Sequence, residues 1–291
     1  MKASRFDYVR PDRLEAALAF LAEHGDEAKV IAGGQSLVPI LAFRLAAPRF
    51  LVDIGRIREL RQLVIDANGI RLGALTRWRD IERNKELQRT HPLLVEAVRH
   101  VAHYQIRNRG TIGGSLAHAD PAAEMPGIAI TCEAEIVVAG RGGRRIIAAR
   151  DFFTGALTTA LRAEDVIVEV RLPPWRPGRR WAFMKFARRR GDFALAGIAL
   201  YYDIENGRVV DAHAGAIGVA DTPVRLPAVE AVLNGQAVTG AVIQTAGAEA
   251  AESVNPADDI HAPGDYRRAL LRVLTVRALA SAAGLAPKES A

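Results

Sequence analysis

Two glycine-containing segments hold the residues of this sequence that are best suited to chemistry. The first reads Ala32-Gly33-Gly34-Gln35-Ser36 and lies between an apolar run and a helical pattern. Adjacent glycines let backbone N–H groups approach a phosphate closely, and the Ser36 hydroxyl can donate one more hydrogen bond. The spacing matches neither the G-x-G-x-x-G dinucleotide motif nor the Walker A loop. Taken alone, the segment is also compatible with an ordinary turn between a strand and a helix.

The second segment, Arg109-Gly110-Thr111-Ile112-Gly113-Gly114-Ser115, again places paired glycines beside hydroxyl side chains. Two such loops in one domain fit a pyrophosphate held from both sides, and therefore predict a dinucleotide cofactor. His103 and His118 flank this loop, but neither stands at metal-ligand spacing from another histidine or cysteine, so no metal is predicted. No Ser–His–Asp set or nucleophile elbow accompanies the loops.

Alternating strand and helix patterns position the two loops. The first loop follows a strand predicted at 29–32 and precedes a helix predicted at 35–43. Thr76 is predicted to cap a helix that ends near Asn84. The other predicted elements of this half are helices over 11–25 and 92–101, and strands over 50–54, 63–65, 70–73, 134–139, 146–147 and 166–172.

A run of chain-breaking residues, Pro173-Pro174 and Pro177-Gly178, marks a predicted domain boundary. Three strands followed by three helices beyond it predict a small α+β domain. The predicted strands cover 181–186, 197–204 and 209–219, and the predicted helices cover 226–233, 240–252 and 266–283.

Composition excludes several classes of protein. The single cysteine, Cys132, cannot supply an iron–sulfur cluster or a structural zinc site, and its apolar neighbours predict a buried side chain. The net charge of +6 comes largely from scattered arginines, and the denser cluster at 176–190 is interrupted by aromatic residues, so no nucleic-acid partner is expected. The N-terminal residues lack a signal-peptide core and no stretch approaches the ~20 apolar residues of a membrane span, which predicts a cytoplasmic protein.

Longer motifs around the two loops resemble one family. AGGQSLVP at 32–39 and RNRGTIGGSLAHADPAAEMP at 107–126 are similar to the flavin loops of the medium subunit of aerobic carbon monoxide dehydrogenase and of the FAD domain of xanthine dehydrogenases. EDVIVEVRLPP at 164–174 and KFARRRGDFALAGIAL at 185–200 extend the resemblance over nearly the whole chain.

The resemblance implies an α+β protein with a vanillyl-alcohol-oxidase (PCMH)-type FAD-binding fold. Residues 1–175 would form the FAD-binding domain, with subdomains at about 1–55 and 56–175 that clamp FAD. Residues 176–291 would form the C-terminal α+β domain of the carbon monoxide dehydrogenase flavoprotein type, a three-stranded sheet with helices that covers the flavin.

The resemblance also assigns roles to individual residues. Glu124, with Asp120 nearby, would hydrogen-bond the ribityl or flavin part of FAD, although helix capping around Pro121 is an alternative for both. Ser115 stands where the family commonly has asparagine, which leaves a hydroxyl donor toward the phosphate. The residues expected to contact the pyrophosphate, adenine or flavin are Val30, Ile31, Ala32, Gly33, Gly34, Gln35, Ser36, Leu37, Val101, Thr111, Gly113, Gly114, Ser115 and Ile167.

Two further positions are expected beside the flavin ring. Lys185 matches a lysine of xanthine dehydrogenase, and a positive charge there would favour the anionic reduced flavin and raise its potential. The alternative is an ordinary strand lysine that faces water. Phe193 stands where carbon monoxide dehydrogenases carry a tyrosine that screens the flavin face, so that the stacking surface is kept and the hydroxyl is lost.

The implied protein is the FAD-carrying electron-transfer subunit of a heteromeric molybdopterin hydroxylase, an oxidoreductase. A small subunit with two [2Fe-2S] clusters and a large subunit with a molybdopterin cofactor are the implied partners, assembled as a dimer of heterotrimers. Carbon monoxide, purines, nicotine-like heterocycles and aldehydes are all compatible substrates, and NAD, quinone and oxygen are compatible acceptors. The alternatives are a self-contained FAD oxidoreductase of the same fold and a non-catalytic interaction protein that has lost its cofactor.

Overall fold

The computed structural model of the protein describes residues 2–285, so that Met1 and residues 286–291, at the outer ends of the two predicted domains, lie outside the described residues. The described chain divides into two compact units. The first unit contains the residues through Asn84 together with His103–Ala119 and Glu133–Pro173. The second unit contains Lys85–Ala102, Asp120–Cys132 and the residues from Pro174 onward.

The strands of the described residues are β1 (Asp7–Val9), β2 (Ala28–Ile31), β3 (Phe50–Asp53), β4 (Leu63–Asp66), β5 (Gly69–Gly73), β6 (Glu135–Gly140), β7 (Gly143–Ala148), β8 (Phe153–Gly155), β9 (Thr158–Thr159), β10 (Val166–Leu172), β11 (Arg180–Phe186), β12 (Ala196–Glu205), β13 (Arg208–Ile217) and β14 (Val224–Arg225).

The α-helices are α1 (Leu14–His24), α2 (Leu37–Ala42), α3 (Trp78–Arg83), α4 (Lys85–Thr90), α5 (Pro92–Arg99), α6 (Tyr104–Arg107), α7 (Ile112–His118), α8 (Glu124–Thr131), α9 (Ala149–Phe152), α10 (Pro227–Leu233), α11 (Gly240–Glu252) and α12 (Gly264–Ala282). Short 3-10 segments cover Gly25–Glu27, Ile54–Arg56 and Arg58–Arg61.

Two larger sheets and the two-stranded pair of β8 and β9 build the first unit. A parallel sheet has β3 between β1 and β2, and an antiparallel sheet has the order β4-β5-β10-β6-β7. Helix α1 places Leu14, Ala17 and Leu21 on one face because these positions recur at helical spacing, and all three are buried in the core of this unit. The loop between β2 and α2 carries the first glycine pair, and α7 carries the second.

A four-stranded antiparallel sheet in the order β11-β12-β13-β14 forms the centre of the second unit. Helices α10 and α12 pack on this sheet, and α11 packs on both of them. Helix α8 contacts β12, β13 and β14, and α5 contacts α8 and β11. The three strands predicted for this part of the chain are present, and the two-residue strand β14 is an addition that is too short to show an alternating pattern.

The α+β class predicted from the sequence is confirmed. The predicted capping role of Thr76 is wrong, because Arg77 is the residue before α3 and the Thr76 side chain bonds to nothing in the described chain. The glycine-containing stretch at 109–126, for which no element was predicted, contains α7 and the first turn of α8.

Candidate functional site

The two glycine loops touch each other within the first unit. A Cβ atom on Gly33 would lie 2.3 Å from the carbonyl oxygen of Arg109 and 3.0 Å from the Cα of Gly110. Contacts this short do not occur for real side chains, so only glycine fits at position 33. The loops are therefore close enough to contact the same bound molecule.

The backbone of the first loop presents four unused hydrogen-bond donors. Among residues 2–285, no group accepts a hydrogen bond from the backbone N–H of Gly33, Gly34, Gln35 or Ser36. Gly34 has a φ of +71°, a left-handed conformation that favours glycine. A left-handed residue among right-handed neighbours turns successive N–H groups toward one concave surface, which binds anions. The four N–H groups of Gly33, Gly34, Gln35 and Ser36, called the nest below, therefore fit a phosphate group.

The carbonyl groups of the same loop are already bonded within the protein. The carbonyl of Gly34 accepts from the N–H of Val38 at 3.0 Å, and that of Ser36 accepts from Ile40 at 3.3 Å. The Gln35 side-chain amide donates to the carbonyl of Gly33 at 3.0 Å. These bonds hold the loop in shape, so that its N–H groups are positioned before a ligand arrives.

The second loop differs, because the N–H groups of its residues 112–115 are used within the protein. Gly113 N–H donates to the carbonyl of Ala74 at 2.9 Å, and Ser115 N–H donates to the carbonyl of Thr111 at 3.0 Å. The Thr111 hydroxyl caps α7 by accepting from Gly114 N–H at 3.2 Å. Backbone donation from residues 112–115 to a pyrophosphate would compete with these internal bonds, and the contacts of this loop to the cofactor remain predictions. Contacts from it to a cofactor would come through side chains, such as the Ser115 hydroxyl.

Packing also explains one glycine of the second loop. A Cβ atom on Gly113 would lie 2.6 Å from the Cβ of Ala74. This glycine is required for close contact with the segment after β5, independently of any ligand.

A buried hydroxyl next to the second loop has no partner. Thr76 is 3% exposed, and its Oγ1 makes no hydrogen bond in the described chain. Its carbonyl accepts from Ile112 N–H at 3.0 Å, and the neighbouring Arg77 pairs with Thr111 in an isolated bridge. Four unused N–H donors and one unpaired buried hydroxyl in the same unit fit a cofactor that carries both phosphate and other polar oxygens, as FAD does.

The remaining predicted contact residues of the first unit lie on regular elements. Val30 and Ile31 end β2, Leu37 begins α2, and Ala32 connects β2 to the nest. Ile167 is buried in β10 of the five-stranded sheet. Their contacts to a cofactor remain predictions.

Lys185 is at the centre of a separate cluster in the second unit. Its ammonium donates to Glu124 Oε1 at 2.5 Å, to the carbonyl of His100 at 2.9 Å and to the carbonyl of Asp192 at 2.9 Å. The Lys185 side chain is 4% exposed, so it is not a strand lysine that faces water. All three of its donors are used, which fixes the position of the charge.

Glu124 begins α8 and pairs with Lys185. Burial raises the pKa of the Glu124 carboxyl, and the charge of Lys185 opposes that rise. Lys185 uses one acceptor site of Glu124, and a carboxylate has about four, so Glu124 could still accept a direct bond from a flavin. Asp120 accepts from Ala122 N–H at 2.9 Å in a turn before α8, but it does not cap that helix, whose N-cap residue is Ala123. A bond from Asp120 to a cofactor remains a prediction.

An open cavity of about 470 Å³ lies beside Lys185. Sequence reasoning missed two of the residues that line it, Glu96 and His100. The i, i+4 spacing of Glu96 and His100 at the end of α5 could have predicted this pair, since residues four apart are neighbours on a helix. His100 Nε2 lies 3.4 Å from Glu96 Oε1. The bond to His100 lowers the pKa of Glu96. The other lining residues are Arg99, Lys185, Phe186, Ala187, Arg189, Arg190 and Gly191.

Two predicted flavin neighbours also lie in the second unit. Phe193 is 58% exposed and directly follows Asp192, whose carbonyl is bonded to Lys185. Val101 is half-buried just after α5. Cys132 is buried, as predicted. Within residues 2–285 no cluster of three metal-ligating side chains is found, and no helix is long and apolar enough to cross a membrane.

Known proteins match this chain over almost its whole length. Residues 4–175 match the family described as the FAD binding domain in molybdopterin dehydrogenase, and residues 181–282 match the CO dehydrogenase flavoprotein C-terminal domain. The chain is 37% identical to caffeine dehydrogenase subunit beta from Pseudomonas sp. (strain CBB1), over 97% of this chain and 96% of that protein.

Solved structures agree with these matches. A carbon monoxide dehydrogenase from Hydrogenophaga pseudoflava that lacks the Mo-pyranopterin moiety matches with a TM-score of 0.95 and 38% identity, covering 99% of this chain and 100% of that chain. Quinoline 2-oxidoreductase from Pseudomonas putida 86 matches with a TM-score of 0.93 and 36% identity, covering 98% and 99% of the two chains.

Proposed function

Since this chain belongs to the family of the FAD binding domain in molybdopterin dehydrogenase, we propose that it is the FAD-carrying electron-transfer subunit of a heteromeric molybdopterin hydroxylase. The observation that carries the proposal is the nest of four unused N–H groups at Gly33–Ser36, which fits a phosphate of the cofactor. When bound, FAD supplies a carrier that accepts electrons from one-electron donors and delivers two to an acceptor.

The residues of this chain bind and orient the cofactor. The nest donates to the diphosphate, and the contact between Gly33 and Arg109 keeps the two loops together around it. Lys185 holds a fixed positive charge in the second unit, where the resemblance places the flavin ring. The single cysteine cannot ligate an iron–sulfur cluster, so the donor to FAD lies on another polypeptide.

The partners follow from the same reasoning. A small subunit with two [2Fe-2S] clusters and a large subunit with a molybdopterin cofactor complete the enzyme, and the assembly is a dimer of heterotrimers in the cytoplasm. This proposal is supported by relatives that are named as medium chains or subunits of larger enzymes.

Purification of the native complex tests the proposal. Native mass spectrometry is expected to find this chain with one FAD, one iron–sulfur subunit and one molybdopterin subunit in each half of the assembly. Organic substrate is expected to bleach the flavin absorbance of the complex and to leave that of the isolated chain unchanged. Flavin reduction by organic substrate in the isolated chain would instead show the self-contained oxidoreductase, and a colourless chain would show a protein without cofactor.

A further inference from the structure

A buried threonine hydroxyl in the first unit is the strongest feature that the proposed function leaves unexplained. Buried hydroxyl groups are nearly always hydrogen-bonded, because an unpaired one loses its bonds to water and gains nothing in return. Three buried side-chain atoms of the described residues lack a partner, and Thr76 Oγ1 is the one beside a predicted cofactor loop.

The neighbours of Thr76 place it next to the paired glycine loops. Ile112 N–H, inside the second loop, donates to the carbonyl of Thr76 at 3.0 Å. Two residues further along, Trp78 N–H donates to the carbonyl of Gly110 at 3.2 Å. Gly110 in turn contacts Gly33, which begins the nest. A continuous set of backbone contacts therefore connects the unpaired hydroxyl to the unused N–H donors.

We propose that Thr76 is a cofactor-binding residue, whose hydroxyl hydrogen-bonds a polar oxygen of the diphosphate–ribityl part of FAD. This inference rests on the proposed function that the chain binds FAD. It adds a residue outside both glycine motifs, and it replaces the capping role that the sequence suggested for Thr76. The Thr76 hydroxyl would also supply a hydrogen-bond donor beside the second loop, where the N–H groups of Gly113, Gly114 and Ser115 are already bonded.

Substitution of Thr76 by valine removes the hydroxyl and keeps the side-chain shape. In a fluorescence titration of the flavin-depleted full chain with FAD, Thr76→Val is expected to raise the Kd about three- to tenfold, the net effect of one hydrogen bond. Thr76→Ser keeps the hydroxyl and is expected to bind FAD nearly as the wild type does. The thermal midpoint of the Thr76→Val apoprotein is expected to stay equal or to rise, because an unpaired polar atom has been removed.

Thr275→Val is the matched control. Thr275 is fully buried and its hydroxyl donates to the carbonyl of Leu271 at 2.8 Å, so its removal should lower the midpoint of the apoprotein without changing the Kd for FAD. The proposal is overturned if Thr76→Val binds FAD as tightly as the wild type. It is also overturned if Thr76→Val destabilises or unfolds the apoprotein as a bonded threonine would. A wild-type chain that binds no FAD would refute the proposed function itself.

Discussion

At the scale of single residues, the buried pair of Lys185 and Glu124 is held by several hydrogen bonds in the second unit. Their side chains are 4% and 8% exposed, and two backbone carbonyls accept from the same ammonium. A buried pair of this kind adds little stability relative to apolar residues, but the loss of one partner leaves the other as an uncompensated buried charge. The pair therefore fixes a charge in place, which suits the tuning of a cofactor more than the stabilisation of a fold.

Separate and joint removal of the two charges tests this coupling. Lys185→Met is expected to lower the free energy of unfolding by about 3–5 kcal/mol, because Glu124 is then buried without its partner. The double variant Lys185→Met, Glu124→Gln is expected to recover most of that loss. Urea unfolding of the full chain at pH 7 measures both. A double variant as unstable as Lys185→Met would show that the two residues are not coupled.

At the scale of elements, the sequence predicted long segments well and short ones poorly. Strands β12 and β13 and helix α11 were predicted because their apolar patterns run for ten residues or more. Strand β1 and helices α4 and α6 were not predicted, since elements of three to six residues depend on contacts from distant parts of the chain. The bond from Gly113 N–H to the carbonyl of Ala74 has the same origin, since Ala74 lies far from Gly113 along the chain.

The ion pair between Asp259 and Arg267 of α12 predicts that the protein loses stability in acid. Asp259 loses hydration on burial, but bonds from Ala262 N–H and Arg267 outweigh this effect and lower its pKa to about 2. Arg267 in turn donates to the carbonyls of Leu195, just before β12, and Gly218, just after β13, so α12 is tied to the end of the sheet where these two strands meet. A carboxyl with a depressed folded-state pKa contributes stability that is present above its unfolded pKa, 3.8 here, and is lost as the pH falls toward 2.

Asp259→Asn should remove that part of the pH dependence. The side chain is 46% exposed, so solvent screening limits the expected contribution to about 1 kcal/mol. In urea unfolding at pH 7 the variant is expected to be less stable than the wild type, and the difference should shrink between pH 4 and pH 2. An unchanged difference over that range would show that Asp259 is not the titrating group. Asp265→Asn, at an 88% exposed position, is the control.

At the scale of the whole molecule, the predicted fold is confirmed and the family resemblance is confirmed by matches over both halves of the chain. The compact units do not follow the predicted boundary near residue 175, since 85–102 and 120–132 belong to the second unit. Sequence patterns describe consecutive residues, whereas these segments join the second unit through contacts of α5 and α8 with its sheet. The boundary and the individual cofactor contacts therefore remain predictions.

The most direct test of the account is the FAD content of a Gly33→Ala chain. The added Cβ would collide with the carbonyl of Arg109, so the two loops must separate and the nest must lose its shape. Gly142→Ala is the control, because a Cβ there meets nothing within 4 Å. The account predicts that Gly142→Ala is purified with FAD at the wild-type ratio, and that Gly33→Ala is folded but nearly free of flavin. Full FAD occupancy in Gly33→Ala would contradict the claim that the nest between these loops holds the cofactor.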